Sequence, residues 1–337
     1  MNEIAHEAGV SVSSVSRVLS KSQPVSEDLY TKVMDAAARL GYEPKQSSLS
    51  GNPGTIGLFQ STVRNHIGDE ISEGIRGHAA KFGWDVVLIE MSPNQILMGN
   101  AVEVLSKVNL DGLILLDTSQ TEEHIQKLSK QRKIPVTVVN RAFNIPGVRS
   151  VHVDYKTSAY TAVKYLMSLN HKKIAYLSAP PSFATVEDRE AGMKRALNEK
   201  GLELKDEFIS VGQASPEGGY IAMNHILEKT HPDYPTGIIA HNDLMAMGAL
   251  HSLKNWGLKV PEDVSIIAFY DSEFAMHTEP PLTVIAPPLR KLGAMAATML
   301  IEMITQGDNR LLPVKTSIES TLLLRESTGI LNPNEKK

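Results

Sequence analysis

Cysteine is absent from the 337 residues. Neither a disulfide framework nor a thiolate metal site can therefore form. No apolar run approaches the roughly 20 residues that a membrane-spanning helix needs. The N-terminus presents Glu3, His6 and Glu7 where a secretory signal would carry basic residues before an apolar stretch. Export is not expected, and the expected location is the cytoplasm. The common enzymatic signatures are also missing. There is no Gly-x-x-x-x-Gly-Lys-(Ser/Thr), no Gly-x-Gly-x-x-Gly after a strand and no Gly-x-Ser-x-Gly elbow. The eleven histidines are dispersed. His66 with His78, and His225 with His231, lack the spacing of metal ligands on one helix face. Met295, Met299 and Met303 recur every four residues and read as core or dimer interface. No catalytic residue, cofactor or metal is expected.

An excess of positive charge is missing too. The chain carries a net charge of −4, and within residues 1–50 five basic side chains meet six acidic ones. Composition alone favours a small helical bundle with no nucleic-acid role at this end.

The pattern of residues 4–19 reverses that reading. Ile4, Ala5 and Ala8 mark one face of a short helix. Gly9 supplies a left-handed turn residue, and Val10 can plug the angle that follows. Ser11 is a good N-cap for a second helix from Val12 to about Ser20. On it Val15, Val18 and Leu19 point inward at helical spacing. Val12, Ser13, Ser14, Ser16 and Arg17 are left outside. This small polar face with one arginine suits a helix that enters a major groove. A third helix starts at the N-cap Ser26 and stops at Gly41, with Leu29, Val33, Ala37 and Leu40 as its inner stripe. Phosphate donors would be Ser11, Ser26, Tyr42 and the helix N-termini.

Ala8-Gly9-Val10-Ser11 and Val15-Ser16-Arg17-Val18-Leu19 make the head resemble the LacI/GalR family of bacterial transcription repressors. Gly41-Tyr42-Glu43-Pro44, Asp111-Gly112-Leu113-Ile114, His171-Lys172-Lys173-Ile174-Ala175 and Asp188-Arg189-Glu190-Ala191-Gly192 continue the resemblance. So do His241-Asn242-Asp243, Gly257 to Ile267 and Pro280-Pro281-Leu282-Thr283, in the family's order.

Residues 45–54 are polar and rich in breakers and read as a linker. From Ile56 onward, short apolar runs alternate with amphipathic helices. Strands are expected at Ile56–Phe59, Val86–Ile89, Gly112–Leu116, Val136–Val139, Ile174–Ser178, Gly237–Ala240 and Ser265–Phe269. Helices are expected near 69–82, 94–107, 121–131, 156–169, 187–200, 217–229, 243–256 and 288–305. The alternation predicts an α/β architecture of two doubly wound parallel-sheet lobes behind an all-α helix-turn-helix head. The resemblance implies the same periplasmic-binding-protein-like form, with a ligand between the lobes. Its three crossovers are placed near 150–154, 279–284 and 308–314. The expected division is a head at 1–44, a linker at 45–54, an effector and dimerisation domain at 55–330 and a polar tail at 331–337. Lobe 1 would take about 55–150 plus 284–308, and lobe 2 about 154–279 plus 314–330. The tail Glu326–Lys337 has no leucine heptads, so a dimer formed through the lobes is expected rather than a coiled-coil tetramer.

The resemblance nominates effector contacts. Arg189 opens a helix where the family grips an oxygen-rich ligand, and a guanidinium fork suits that task. Asn242 follows the strand Gly237–Ala240 and can donate and accept; ligand contact and a structural role are both open for it, with Asp243 beside it as the expected cap of the next helix. Asn65, His66, Asn140 and Thr185 sit in loops where ligand contact and plain turn chemistry are both open. The chain departs from the family at Ala268-Phe269-Tyr270-Asp271, where Tyr270 occupies the usual aspartate position. Either Asp271 takes over by a local shift, or no carboxylate holds the ligand. Ala214 stands where several members stack an aromatic ring, so stacking would come from Phe183, Tyr220 or Tyr270. The hinge is short, with Leu49 as the candidate wedge into a minor groove. The implied function is effector-gated repression of a carbohydrate or related catabolic operon. The implied partners are a palindromic operator, a second copy of the chain and a sugar, phosphosugar or nucleoside. The second reading is a small-molecule sensor or solute-binding protein that does not bind DNA.

Overall fold

The computed structural model describes residues 2–20, 25–40, 53–61, 66–91, 108–116, 122, 123, 125, 126, 129, 134–181, 185–306 and 314–331. The expected helix at 94–107, the Gly41 stop, most of the linker, Tyr42, Leu49, Asn65 and Phe183 lie outside them.

Three helices build the head: α1 (Asn2–Ala8), α2 (Val12–Ser20) and α3 (Glu27–Arg39). Gly9 turns the chain between α1 and α2 with φ 64°, a conformation that costs glycine nothing and other residues strain. Ser11 Oγ accepts from the Ser14 backbone N–H at 3.1 Å, capping α2 as its sequence predicts. Ser26 does the same for α3 through the Leu29 N–H at 3.4 Å. Ile4, Ala5, Val15, Val18, Val33, Ala36 and Ala37 form the head's core. The expected stripe on α3 is corrected at one end. Leu40 lies past the last helical residue and is 45% exposed, while Ala36 fills the buried position.

The rest of the described chain forms two lobes wound alike. Lobe 1 carries β1 (Thr55–Ser61), α4 (His66–Lys81), β2 (Asp85–Met91), β3 (Gly112–Leu116), β4 (Val136–Val139) and β5 (Val148–Val153). Lobe 2 carries α5 (Tyr155–Ser168), β6 (Ile174–Ser178), α6 (Thr185–Asn198), β7 (Ile209–Val211), α7 (Pro216–Thr230), β8 (Gly237–Ala240), α8 (Asp243–Asn255), β9 (Ser265–Phe269), α9 (Glu273–Met276) and β10 (Thr283–Ala286). Then come α10 (Leu289–Gln306), β11 (Val314–Ile318) and β12 (Thr321–Leu323). The first sheet runs β2-β1-β3-β4-β5-β11, and the second runs β7-β6-β8-β9-β10-β12. All described pairings are parallel except β10 with β12. Every residue of β3, β4, β6, β8 and β9 is buried, as expected of strands covered by helices on both faces.

Two of the three crossovers differ from expectation. The first falls at Asp154, between β5 in one sheet and α5 on the other lobe. The second is Pro287-Pro288, not 279–284, because β10 is still a strand of lobe 2. The third is 319–320, not 308–314, because β11 returns to lobe 1 beside β5 before β12 joins lobe 2. So 284–286 belongs with lobe 2 and 314–318 with lobe 1. Proline fixes φ and cannot donate a ladder hydrogen bond, which ends β10 where the chain must leave its sheet.

Helices α4 and α10 cover lobe 1 and touch through glycine. A Cβ on Gly74 would stand 2.1 Å from the Arg290 carbonyl oxygen, and one on Gly293 would stand 2.1 Å from that of Ile71. Both neighbours are backbone, so the helices would have to part. Gly74→Ala and Gly293→Ala are each expected to cost about 1–3 kcal/mol, the usual range for overpacking. Urea unfolding checks this, and unchanged midpoints in both variants would contradict the contact.

Candidate functional site: the cleft between the lobes

Open parallel sheets present ligand-binding loops beyond the carboxyl ends of their strands, at the point where strand order reverses. In lobe 1 that point lies between β1 and β3; His66 follows β1 and Asn140 follows β4. In lobe 2 it lies between β6 and β8; α6 with Arg189 follows β6, and His241 follows β8. Tyr270 follows β9.

Arg189 is the centre of this group. Its side chain is fully enclosed, at 0% exposure. The guanidinium carbon lies 3.9 Å from the ring centre of Phe269, 4.6 Å from that of Tyr155 and 5.2 Å from that of Tyr270. A desolvated cation over aromatic faces gains on the order of 2 kcal/mol. One terminal nitrogen donates to the His241 carbonyl oxygen at 2.6 Å and lies 3.1 Å from His241 Nδ1. The other donates to the Tyr270 hydroxyl at 2.8 Å. Arginine only donates, so His241 Nδ1 accepts and the ring's proton sits on Nε2. Burial, and then the Arg189 charge, hold the His241 pKa well below 6.5.

The Tyr270 hydroxyl is 3.0 Å from that of Tyr155, which donates to Asn140 Oδ1 at 3.0 Å. Burial pushes the Tyr155 phenol well above its ordinary 10.0, and the neighbouring Tyr270 adds to this. Asn140 belongs to lobe 1, so this contact spans the cleft. A second spanning contact comes from His66, whose Nε2 is 4.0 Å from Asp243 Oδ2 and whose ring stands edge-on to Tyr270, centre to centre 6.1 Å. Three buried polar atoms here have no hydrogen-bond partner: Arg189 Nε, His66 Nε2 and Ser272 Oγ. A cavity of about 290 Å³ reaches His66 of this group and is lined also by Glu70, Asp271, Pro287, Pro288 and Arg290 among others.

The nominated residues separate into two groups. Arg189, Tyr270, His66 and Asn140 come together. Thr185 is half-buried at the first position of α6, one turn before Arg189. Asn242, rather than the expected Asp243, is the N-cap of α8: its Oδ1 accepts from the Met245 N–H at 2.8 Å, and its Nδ2 donates to the Ala214 carbonyl at 3.2 Å. Asp243 instead accepts from the Leu244 and Ser272 backbone N–H groups. Asp271 accepts from Arg325 at 2.7 Å, so no local shift brings it to Arg189. Among the candidate stacking residues, Tyr220 packs on His251 and bonds to Asn255, while Tyr270 and the unforeseen Tyr155 and Phe269 face Arg189. His241 was readable as a strand-end polar residue beside Asn242. Phe269 and Tyr155 carry no such signal, since each reads as core.

In the head, Val12, Ser13 and Arg17 are exposed, and Ser14 and Ser16 are partly covered. Arg17 Nε donates to the Ser13 carbonyl at 3.3 Å, which leaves its terminal nitrogens at the outer face of α2.

Comparisons with known proteins agree with this layout. The family described as "Bacterial regulatory proteins, lacI family" matches residues 1–45. That described as "Periplasmic binding proteins and sugar binding domain of LacI family" matches residues 66–323. The HTH-type transcriptional repressor PurR of Haemophilus influenzae (strain PittEE) is 30% identical over 333 residues, covering 97% of this chain and 98% of its own. Catabolite control protein A of Priestia megaterium is 30% identical over 307 residues, covering 88% and 90%. Among solved structures, the transcriptional regulator CelR–cellobiose complex superposes with a TM-score of 0.73 at 27% identity, over 97% of this chain and 98% of that one. The relatives are transcriptional regulators rather than enzymes. Among the described residues no helix is long and apolar enough to cross a membrane.

Burial also lowers the pKa of His171, and of His152 despite the opposing charges of Asp188 and Asp154. With His241, three histidines are thus held neutral by the fold. Between their folded values and the unfolded value of about 6.5, the unfolded chain binds more protons than the native one. Their contribution to stability is complete above that pH and is lost as pH falls below it. The melting temperature is expected to fall between pH 7.5 and 5.5, and the fall should shrink in His241→Gln. A melting temperature that rises toward pH 5.5 would contradict the neutral assignments.

Proposed function

The chain belongs to the LacI family of bacterial transcriptional regulators, and we propose that it represses a carbohydrate or related catabolic operon as a homodimer gated by a small molecule held between its lobes. One observation carries the effector half of this reading: a fully buried guanidinium stands at the carboxyl ends of the strands with its own Nε unpaired. Buried polar groups are normally paired, so Arg189 Nε, His66 Nε2 and Ser272 Oγ favour an oxygen-rich ligand. Sugars, phosphosugars and nucleosides all meet that requirement. Arg189 grips the ligand, with Tyr270, His66 and Asn140 beside it and Thr185 on the same face of α6. Asn65, in the loop after β1, belongs to the same proposal. The Asn242 side chain is engaged by protein partners and stands one step back, while Asp271, held by Arg325, keeps a place in the cavity wall.

DNA is read by the outer face of α2. Val12, Ser13, Ser14, Ser16 and Arg17 would enter the major groove, Ser11, Ser26 and Tyr42 would contact phosphates, and Leu49 would wedge into the minor groove. The head at 1–44, linker at 45–54 and effector domain at 55–330 follow as the working units. Helices α4 and α8 are candidates for the dimer contact.

In a mobility-shift titration on DNA from the protein's own promoter region, Arg17→Ala is expected to weaken specific binding by about 1–3 kcal/mol. Unchanged affinity would remove α2 from the groove. In calorimetry with a compound selected by thermal shift, Arg189→Ala is expected to lose effector binding while operator binding persists. Equal effector affinity in the two proteins would take Arg189 out of the site.

A further inference from the structure

A single row of hydrogen bonds runs from Arg189 in lobe 2 to the sheet of lobe 1. Nη2 of Arg189 donates to the Tyr270 hydroxyl, Tyr270 meets the Tyr155 hydroxyl, and Tyr155 donates to Asn140 Oδ1. The direction of this row is fixed by chemistry. A charged guanidinium cannot accept, so Tyr270 receives a proton from it and has its own to pass on. Tyr155 spends its proton on Asn140, so it must accept from Tyr270. Each hydroxyl donates once and accepts once, and such chains strengthen their members in a low-dielectric interior.

Both ends are anchored in the sheets. The Asn140 N–H bonds to the Val151 carbonyl in lobe 1, and the Tyr270 N–H bonds to the Ile285 carbonyl in lobe 2. Asn140 and Tyr270 each leave their strand with left-handed backbone, at φ 63° and 70°. Asparagine tolerates that conformation, whereas tyrosine is strained by it. Tyr155 stands between them as the first residue of α5, beside the first crossover at Asp154. Its ring lies on Arg189, and its hydroxyl reaches the other lobe.

We infer that Tyr155 is a positioning residue whose hydroxyl ties the Arg189 centre to lobe 1, so that the partners of Arg189 and the set of the two lobes change together. Swinging the lobes apart breaks the bond to Asn140 and strands a buried hydroxyl, which is unfavourable. Conversely, an effector oxygen that takes Nη2 from Tyr270 frees both tyrosine hydroxyls to pair anew and loosens the hold on Asn140. The influence runs equally in both directions. The regulatory consequence rests on Arg189 being the effector residue; the tie between the lobes does not.

The test uses the full chain without added effector. Because the chain has no cysteine, Asn109→Cys and Lys172→Cys introduce the only two thiols. Both positions are exposed, one just before β3 and the other just before β6, at the poles farthest from the cleft. Nitroxide labels there, diluted by co-assembly with excess unlabelled chain, report the pole-to-pole distance by pulsed electron resonance. Tyr155→Phe keeps the ring and removes the hydroxyl. Asn140→Gly removes the acceptor and accepts the left-handed backbone. Asn140→Asp keeps both an acceptor and that backbone. The distance distribution is expected to move by about 2 Å or more in Tyr155→Phe and Asn140→Gly, and to return to the parent's in Asn140→Asp. A parent-like distribution in Tyr155→Phe, or a shift there that Asn140→Gly does not share, would overturn the tie. Loss of melting temperature with no change of distance would show a merely structural hydroxyl and overturn it equally. If the distances move as expected but Arg189→Ala binds effector normally, the tie stands and the effector assignment falls.

Discussion

A full positive charge at the bottom of the cleft, shielded entirely from water, sets the terms for everything around it. Arg189 must be hydrogen-bonded and must be faced by groups that favour a cation, because an isolated buried charge is far too costly. Among the described residues no carboxylate lies within ion-pair distance of it. The fold meets the requirement with three aromatic faces, a backbone carbonyl, a neutral imidazole and a phenol. Each of these groups is constrained in turn. His241 has to stay unprotonated to accept. Tyr270 has to leave β9 in a strained conformation to aim its hydroxyl. Tyr155 has to be placed at the start of α5, directly after a crossover.

These partners come from separate segments, and the crossovers are what bring them together. Asn140 and His66 arrive from lobe 1; Tyr155, Arg189, His241 and Tyr270 arrive from lobe 2. The lobes share a winding order, so their ligand-facing loops oppose each other. Three short connections at Asp154, Pro287-Pro288 and 319–320 let the lobes move without unravelling either sheet. A change at the centre can therefore be expressed as hinge motion. Lobe 1 also holds β1, the first strand after the linker to the head, so its set relative to lobe 2 is the quantity a pair of heads on DNA can sense.

Much of the scaffold was legible because parallel strands buried on both faces read as unbroken apolar runs. Gly112–Leu116, Val136–Val139, Ile174–Ser178, Gly237–Ala240 and Ser265–Phe269 fall where the sequence predicts them. Of the strands not expected, β7 and β12 are short and lie at sheet margins, β5 and β11 are less uniformly apolar, and β10 is a short run between prolines that reads as a connection. β5 contains Arg149 and His152, and β11 is Val-Lys-Thr-Ser-Ile; neither has the run that marks its neighbours. Missing β10 and β11 misplaced two crossovers, since a segment with no strand in it looks like a connection. In the site, Arg189 and Tyr270 were readable from position and chemistry. Tyr155 and Phe269 were not, because an aromatic residue that opens an amphipathic helix, as Tyr155 does, or closes an apolar strand, as Phe269 does, is indistinguishable in sequence from core. Their role appears only when separate strand ends converge on one guanidinium. The division of labour between Asn242 and Asp243 was likewise a matter of geometry, since either side chain can cap a helix.

The central claim is that occupancy of the Arg189 centre and occupancy of DNA are linked through the set of the lobes. The direct measurement is the effector Kd of the full chain, free and saturated with operator, at one salt concentration. If the two sites are linked, the two values differ, and operator affinity changes by the same factor when effector is added. Identical effector Kd values in the free and DNA-bound protein would contradict the claim.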